Sequence, residues 1–484
     1  MDLQKMSPEG AGKAESAASI EYKGHVKSTY ISGEIKVKLD DDGVIIASLM
    51  DFYKINYADF NSLSLNDYAV TICTDDGETI LSHMGNWCEP LYKEMYAGYN
   101  KKVSKALFVK DDPIIAVGGE YSYEEYGNSR SGSGIFQVHE NGVLILSPDT
   151  NARFIPFCFL TEIAKGNYDI SLKIDEDEVY TLSKLGQNLD PFLSAIEKQI
   201  HEMQEKSLEE VTAIDKKLPM PKAIAIARRM PKGVMTSIGK LSDISSSFVE
   251  TLEEKIKDKA FDAYGVLKKI SIDDSIYVGF KKNESSTTDI SAAISGVIGD
   301  LAPNVAQEGE PSVEEAEPQQ DEYNIFIIAP SKDNKACAVE FFGDKDDSAA
   351  TFIYRFDESF ETFAKKLNKA LVAIDFKREV IRLSDEELKS VEHMDYRMAV
   401  KRNAALRFVR SKFVGRAIHR SIDSWEKKVL ELFSTNQLIN DEFVSDVDVK
   451  ESFECKGKVC YCGQCGAKVV DDSKFCCGCG AKLL

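Results

Sequence analysis

The chain has 484 residues, enough for about three domains of roughly 150 residues each. Its formal net charge of −20 argues against non-specific binding of the whole molecule to nucleic acid or anionic lipid. Met1–Gly10 contains no apolar signal core, and no uninterrupted apolar stretch reaches membrane-spanning length. The sequence therefore predicts a soluble cytoplasmic protein, in which residues 1–24 are expected to form a disordered N-terminus.

Two segments of the N-terminal half match each other in order. The shift between them is 99 residues at the first matched pair and 101 at the last, as loop insertions after a duplication would produce. The matched pairs are Asp42–Ser48 with Asn141–Ser147, Asn66–Ile72 with Gly166–Leu172, and Leu81-Ser82 with Leu182-Ser183. We therefore predict two copies of one unit, at residues 25–110 and 111–206.

Each copy has the pattern of several strands followed by one helix. Ile35–Leu39 alternates apolar and polar residues, as a half-buried strand does. Asp41-Asp42-Gly43 predicts a hairpin turn in which the glycine adopts a positive φ, and Asp75-Asp76-Gly77 predicts another. Each copy then ends in a helix with an apolar stripe. The stripes are Trp87, Leu91, Met95, Tyr99 and Val103 in the first copy, and Leu189, Phe192, Ile196, Ile200 and Met203 in the second.

This order of antiparallel strands closed by an amphipathic helix resembles a pleckstrin-homology-like (PH-like) domain, a curved sheet capped at one end by its C-terminal helix. The resemblance implies an α+β protein with tandem PH-like units; the alternative is a plain α+β domain of another topology. PH-like domains that bind phosphoinositides use Lys and Arg around the first hairpin. Asp40-Asp41-Asp42 and Glu140-Asn141 occupy those hairpins here and disfavour that activity.

A helical connector is predicted at 207–270, interrupted by Leu218-Pro-Met-Pro221. Within it, segment 216–240 has seven Lys or Arg and no acidic residue. Such a segment can lie on an anionic membrane or bind a partner helix. The alternative is that its apolar residues belong to the core and its basic residues are solvated. The apolar residues are Ile224, Ile226, Met230, Val234, Met235 and Ile238.

A third α+β unit is predicted at 271–380. It contains four strand-like runs, at 275–280, 324–328, 336–342 and 350–354, followed by a helix with Phe360, Phe363, Leu367 and Leu371 on one face. The order alone suggests a third PH-like copy, interrupted by a polar segment at 284–322. Residues 308–322 hold seven acidic residues and no basic one, which is typical of a disordered linker.

Residues 381–450 form a predicted basic helical segment. Its basic block, 397–428, has ten Lys or Arg, and Val414–Ile418 extends a predicted helical apolar stripe. Its arginines can contact phosphates or, alternatively, pair with the acidic remainder of the chain. The arginines considered for phosphate contact are Arg402, Arg407, Arg410, Arg416 and Arg420.

The C-terminus holds two matched cysteine motifs, Cys462-Gly-Gln-Cys465-Gly-Ala-Lys and Cys476-Cys-Gly-Cys479-Gly-Ala-Lys. A CxxC turn places two sulfurs on one side of a tetrahedral zinc ion, and two such turns complete its ligand shell. The motif resembles the small zinc ribbons at the ends of many prokaryotic proteins.

The resemblance implies a ribbon at 455–484 with one structural Zn²⁺ held by Cys462, Cys465, Cys476 and Cys479. Three further cysteines lie nearby, which leaves ligand exchange or a slipped register open; they are Cys455, Cys460 and Cys477. A redox dithiol is the alternative to zinc.

The sequence contains no HExxH, GxSxG or Walker A pattern. We therefore expect a non-enzymatic intracellular scaffold or adaptor that binds a protein partner. A nucleic-acid-associated factor that uses the ribbon and segment 397–428 is one alternative. A peripheral membrane protein that uses segment 216–240 is another.

Overall fold

The computed structural model of the chain describes residues 21–125, 127–175, 178–282, 323–342, 350–419 and 421–435, and two short strands at 459–461 and 468–470. The chain divides into two compact units, Met1–Ile439 and Asn440–Leu484. The predicted linker at 284–322 and most of the predicted disordered N-terminus lie outside the described residues. None of the helices among these residues combines the length and the apolar character needed to cross a membrane.

The first copy of the repeat is a seven-stranded antiparallel sheet followed by a helix. Its strand order is β4-β3-β2-β1-β7-β6-β5, so the first and last strands pair and bend the sheet around one core. The first strand begins three residues before the predicted boundary at residue 25. The elements are β1 (Tyr22–Lys27), β2 (Ser32–Leu39), β3 (Gly43–Ala47), β4 (Phe52–Asn56), β5 (Ser62–Asn66), β6 (Ala69–Thr74), β7 (Gly77–Ser82) and α1 (Cys88–Ala106).

The second copy has the same strand order, β11-β10-β9-β8-β14-β13-β12, and also ends in a helix. Equivalent elements lie 99 residues apart at β3 and β10 and 101 apart at α1 and α2, as the sequence match predicts. The duplication is therefore confirmed as two sheets of one strand order. The elements are β8 (Ile115–Glu125), β9 (Asn128–His139), β10 (Gly142–Leu146), β11 (Arg153–Pro156), β12 (Glu162–Lys165), β13 (Asp169–Asp175), β14 (Glu178–Ser183) and α2 (Leu189–Ile214).

The apolar stripe of each helix packs on its own sheet. In α1, Leu91, Met95, Tyr99 and Val103 are fully buried, whereas Trp87 precedes the helix and is 58% exposed. Phe192 and Ile196 of α2 are buried in the same way. The predicted stripes are confirmed except at Trp87, which lies in an exposed 3₁₀ turn, and at Ile200, which is half-buried.

The glycine that starts β3 and its equivalent in β10 are required for a different reason from the one predicted. Neither Gly43 nor Gly142 is among the residues with positive φ, so the turn does not require a glycine at these positions. Instead, a Cβ atom on Gly43 would lie 2.2 Å from the Ile55 carbonyl oxygen, and one on Gly142 would lie 2.4 Å from that of Ile155. Both glycines therefore allow close approach of the neighbouring strand. Gly77 does have a positive φ, of 129°.

The third sheet has six strands whose order follows the chain from β15 to β20. It lacks the pairing of first and last strands seen in the other two sheets, so the expectation of a third copy is wrong. The four predicted strands are present, but Val414–Ile418, predicted as helical, belongs to the edge strand β20. The strands are β15 (Thr236–Ser237), β16 (Tyr277–Lys282), β17 (Tyr323–Pro330), β18 (Ala336–Phe342), β19 (Ala350–Arg355) and β20 (Phe413–Ile418).

Helices cover both faces of this third sheet. One face, with Ile325 and Ile327, packs against α3, α5 and α11, and the other, with Phe326 and Ile328, packs against α6 and α10. Burial on both faces explains why its strands are continuous apolar runs. The helices are α3 (Met220–Ala227), α4 (Ile238–Ser242), α5 (Ser246–Ile270), α6 (Phe360–Ala373), α7 (Glu379–Arg382), α8 (Asp385–Leu388), α9 (Met394–Arg402), α10 (Ala404–Ser411) and α11 (Ile422–Ser434).

Candidate interaction surfaces

The four predicted zinc ligands, Cys462, Cys465, Cys476 and Cys479, lie outside the described residues, as do Cys455 and Cys477. What is described of this unit is the antiparallel pairing of β21 (Val459–Tyr461) with β22 (Lys468–Val470), on either side of the first CxxC motif. In the part of the chain that is described, no three His, Cys, Asp or Glu side chains are grouped so as to hold a metal ion. The zinc site therefore stays a prediction.

The cysteines of the larger unit have no metal-binding or redox arrangement. Cys73, Cys88, Cys158 and Cys337 are free thiols. Burial raises the pKa of the Cys158 thiol to about 12 and that of Cys337 well above its usual value, so both stay protonated. They are small apolar side chains within the fold.

Segment 216–240 does not form one exposed amphipathic helix. It consists of α3, a short 3₁₀ turn, β15 and the start of α4. Of its six apolar residues, only Ile224 is exposed, while Ile226, Met230 and Met235 are among those buried in the core. The structure therefore agrees with the core alternative, and the segment has no continuous apolar face for a membrane.

The basic block 397–428 mostly serves contacts within the chain. Arg402 is fully buried, and Arg410 is buried with its guanidinium donating to the Leu383 carbonyl and to Asp385, at 2.7 and 2.8 Å. At the start of the block, Arg397 pairs with Asp59 at 2.5 Å and Lys401 with Asp75 at 3.0 Å. Arg410, Arg397 and Lys401 thus contact carboxylates of the chain itself, as the pairing alternative predicts. Arg407 and Arg416 are exposed, and Arg420 lies outside the described residues.

The third sheet contains a buried polar cluster that the sequence does not predict. The fully buried Glu340 carboxylate accepts a hydrogen bond from the Thr351 hydroxyl and lies 2.9 Å from Nε2 of His419. Trp425 Nε1 donates to the Thr351 oxygen at 2.6 Å. Because Thr351 is completely enclosed, its hydroxyl cannot meet a substrate. The cluster anchors α11 and the end of β20 to the sheet.

The two repeats are joined by insertion of one into the other. We define the repeat-2 tip as residues 147–152, the loop between β10 and β11. This tip lies in the repeat-1 groove, the surface between β5 and α1. Three residues at the base of the tip are buried in the core of the first repeat, among aromatic side chains; they are Leu144, Leu146 and Ala152.

Hydrogen bonds fix the tip in the groove. The Leu63 amide of β5 donates to the Pro148 carbonyl at 2.7 Å. The hydroxyls of Tyr96 and Tyr99 donate to the carbonyls of Leu146 and Asp149, each at 2.8 Å. Burial raises the pKa of both phenols, so they remain neutral donors. The repeats therefore form a specific, buried interface within the chain.

The equivalent loop of the first repeat is exposed to solvent. We define the repeat-1 tip as residues 48–51, between β3 and β4. Leu49 is 102% exposed, Met50 is 93% exposed and the adjoining Phe52 is 79% exposed. The loop is nevertheless ordered, because the Ser48 side-chain oxygen accepts from the Met50 and Asp51 amides and donates to the Asp51 carbonyl. Three exposed apolar side chains thus lie within four residues at a fixed turn, which is unusual for a monomeric surface.

The second repeat is also fastened to the third unit. Lys369 of α6, which is buried, pairs with Glu178 at 2.6 Å and with Asp175 at 2.9 Å. Burial raises the pKa of Glu178. Burial also opposes ionisation of Asp175, but hydrogen bonds from Lys369 and Lys365 outweigh it and lower its pKa. The second repeat and the third unit are therefore connected through the buried Lys369 and its two carboxylate partners.

Comparison with protein-family models and with curated protein sequences finds no match to this chain.

Proposed function

We propose that this chain is a non-enzymatic intracellular scaffold or adaptor, made of two PH-like units, a third α+β unit and a C-terminal zinc ribbon. The shared strand order, with first and last strands paired and a helix after the last, supports the PH-like assignment. Free thiols in the larger unit fit a reducing compartment such as the cytoplasm.

The observation that carries the proposal is the exposed repeat-1 tip. Leu49 and Met50 are exposed on an ordered loop next to the exposed Phe52, while their counterparts Pro148 and Asp149 are half-buried and hydrogen-bonded in an interface within the chain. An apolar group exposed on a rigid element is the ordinary form of a protein-binding anchor. The buried connections between repeats and third unit hold that anchor on a single stiff body.

The proposed zinc ribbon would provide a second attachment point. Four thiolates form a closed structural site, and so short a segment needs the metal to fold. Elemental analysis of the purified chain is expected to find one zinc per molecule, and replacing Cys462, Cys465, Cys476 and Cys479 by serine is expected to abolish it. Metal-free native protein would contradict this part of the proposal.

The scaffold function is tested by affinity purification and mass spectrometry of the full chain, compared with a chain truncated after Phe453. We expect at least one protein to be bound stoichiometrically by the full chain and lost on truncation. The absence of any specifically bound protein, in both forms and under mild lysis, would contradict the proposal.

A further inference from the structure

The two repeats pack head to tail, with the tip of the second in the groove of the first. Packing of this kind leaves one tip and one groove unused, at opposite ends of the pair. The unused tip is that of the first repeat. The unused groove is that of the second repeat, between β12 and α2.

An open groove exists at that place in the second repeat. It has a volume of about 320 Å³ and is lined by Leu160, Ile163, Ile200, Met203, Ala227 and Arg228, among others. At the shifts of 100 and 101 residues that relate the repeats, Leu160, Ile163 and Ile200 are the counterparts of Phe60, Leu63 and Tyr99. Those three counterparts line the occupied repeat-1 groove.

The edge strand of this groove presents the same backbone donor. In the first repeat the Leu63 amide points away from the sheet and binds the tip. In the second, the Gly166 amide donates to the Asp169 carbonyl at the β12–β13 turn. Because alternate residues of an antiparallel strand face its partner, the Ile163 amide points outward, as that of Leu63 does.

Between the two repeats, the residues of the tip and the residues of the groove both differ in polarity. The repeat-2 tip has Pro148 and Asp149 where the repeat-1 tip has Leu49 and Met50. The two tyrosines that bind the carbonyls of the repeat-2 tip correspond to Glu197 and Ile200 in the second repeat. The polar tip thus lies in the groove with phenol donors, whereas the apolar tip is exposed to solvent and the open groove of the second repeat has Ile200 in place of Tyr99.

We propose that the repeat-1 tip of one molecule binds the repeat-2 groove of a second copy of this chain, repeating between molecules the contact already made within each. Leu49 and Met50 enter the groove beside Ile163 and Ile200, and the Leu49 carbonyl accepts from the Ile163 amide. Of the two charged residues that line the groove, Glu162 and Arg228, Arg228 is the one that would pair with Asp51 of the tip.

Such a contact is heterologous, so it produces a ring or an open chain of molecules rather than a symmetric dimer. The inference rests on the proposed scaffold function, to which it adds the partner for one surface. It makes the chain a repeating element on which other proteins assemble through the C-terminal ribbon.

The test is sedimentation velocity over a concentration series with three full-length variants. The tip variant is Leu49→Asp with Met50→Asp, the groove variant is Ile200→Asp, and the control is Val391→Asp, which alters an exposed apolar residue elsewhere. We expect the wild type and the control to associate as concentration rises. The tip and groove variants are expected to associate at least about tenfold more weakly.

An equimolar mixture of the tip and groove variants provides the sharper readout. The tip variant keeps an intact groove and the groove variant keeps an intact tip. The mixture is therefore expected to form a one-to-one dimer and nothing larger. This result also shows that the groove variant is folded. A wild type that stays monomeric, a tip variant that associates like the wild type, or a mixture without dimer would each overturn the inference.

Failure of the inference is distinguishable from failure of the scaffold proposal. A monomeric chain that still binds a different protein through residues 455–484 contradicts only the self-association. A chain that self-associates but binds no other protein, by the truncation comparison, supports the self-association and contradicts the adaptor role.

Discussion

The two repeats have one strand order and opposite surroundings. The second repeat has the base of its tip buried in the first repeat and is joined to the third unit by charge pairs, whereas the first repeat presents an ordered apolar tip to solvent. The fold alone therefore does not decide what a tip does. Its surroundings do, because the repeat-1 groove encloses the base of the repeat-2 tip while the repeat-1 tip is exposed to solvent.

The largest effect is expected where the second repeat joins the third unit. Lys369→Met leaves the buried Glu178 carboxylate without its cation and should reduce the free energy of unfolding by about 3–5 kcal/mol. Urea denaturation measures it. Lys365→Met is the matched control, since Lys365 pairs with Asp175 from a side chain that is half exposed. A loss at Lys369 no larger than at Lys365 would show that the joint is not held by this pair.

Truncation to alanine at equivalent positions of β10 and β3 should show how differently the two repeats are buried there. Leu144→Ala removes a fully buried side chain from the interface between repeats and should cost about 2–5 kcal/mol. Ile45→Ala, its counterpart in the first repeat, alters a half-buried side chain and should cost clearly less. Equal losses in thermal unfolding would contradict the difference in burial on which the comparison depends.

Alanine substitution of the two equivalent strand glycines should instead cost a similar amount of stability in both repeats. Gly43→Ala and Gly142→Ala each force a methyl group against a carbonyl of the neighbouring strand, and each should cost about 1–3 kcal/mol. Gly265→Ala is the control, because this helical glycine has open space around it and alanine should stabilise α5 by about 0.5–1 kcal/mol. Tolerance at one glycine but not the other would break the structural equivalence of the repeats.

The smallest expected effect is one of pH, at the joint between the end of the first repeat and the third unit. Burial opposes ionisation of Asp375, but Lys281 and Lys110 outweigh it and lower its pKa below the ordinary 3.8. The stabilisation is therefore complete above pH 3.8 and is lost as the pH falls through the lower, folded-state pKa. As the pH falls from 3.8 through the folded-state pKa of Asp375, the urea midpoint of the Asp375→Asn variant should decrease less than that of the wild type. An identical acid profile would contradict this role for Asp375.

The sequence predicts the repeats well because their signals are local. Alternating residues in Ile35–Leu39 and the helical stripe at Leu91–Val103 need no knowledge of the rest of the chain. The helix predicted at Val414–Ile418 is wrong because a strand buried on both faces is a short apolar run, and periodicity does not distinguish such a run from a buried helix.

The candidate surfaces could not be predicted in the same way. Arg402 and Arg410 belong to a basic block that reads as solvent-exposed, and only tertiary packing encloses them. Both tips follow apolar strands, and nothing local indicates that Leu144 is covered by the other repeat while its counterpart Ile45 is only half-buried. The glycines at 43 and 142 were correctly paired, but their close contact across strands is visible only in three dimensions.

Hydrogen–deuterium exchange at two equivalent amides tests the central claim most directly. The Leu63 amide binds the repeat-2 tip within the chain, so its protection should not depend on protein concentration. We predict that protection of the Ile163 amide rises with concentration in the wild type and does not in the Leu49→Asp, Met50→Asp variant. Exchange at Ile163 that is the same at every concentration, or that rises equally in both proteins, would contradict the account.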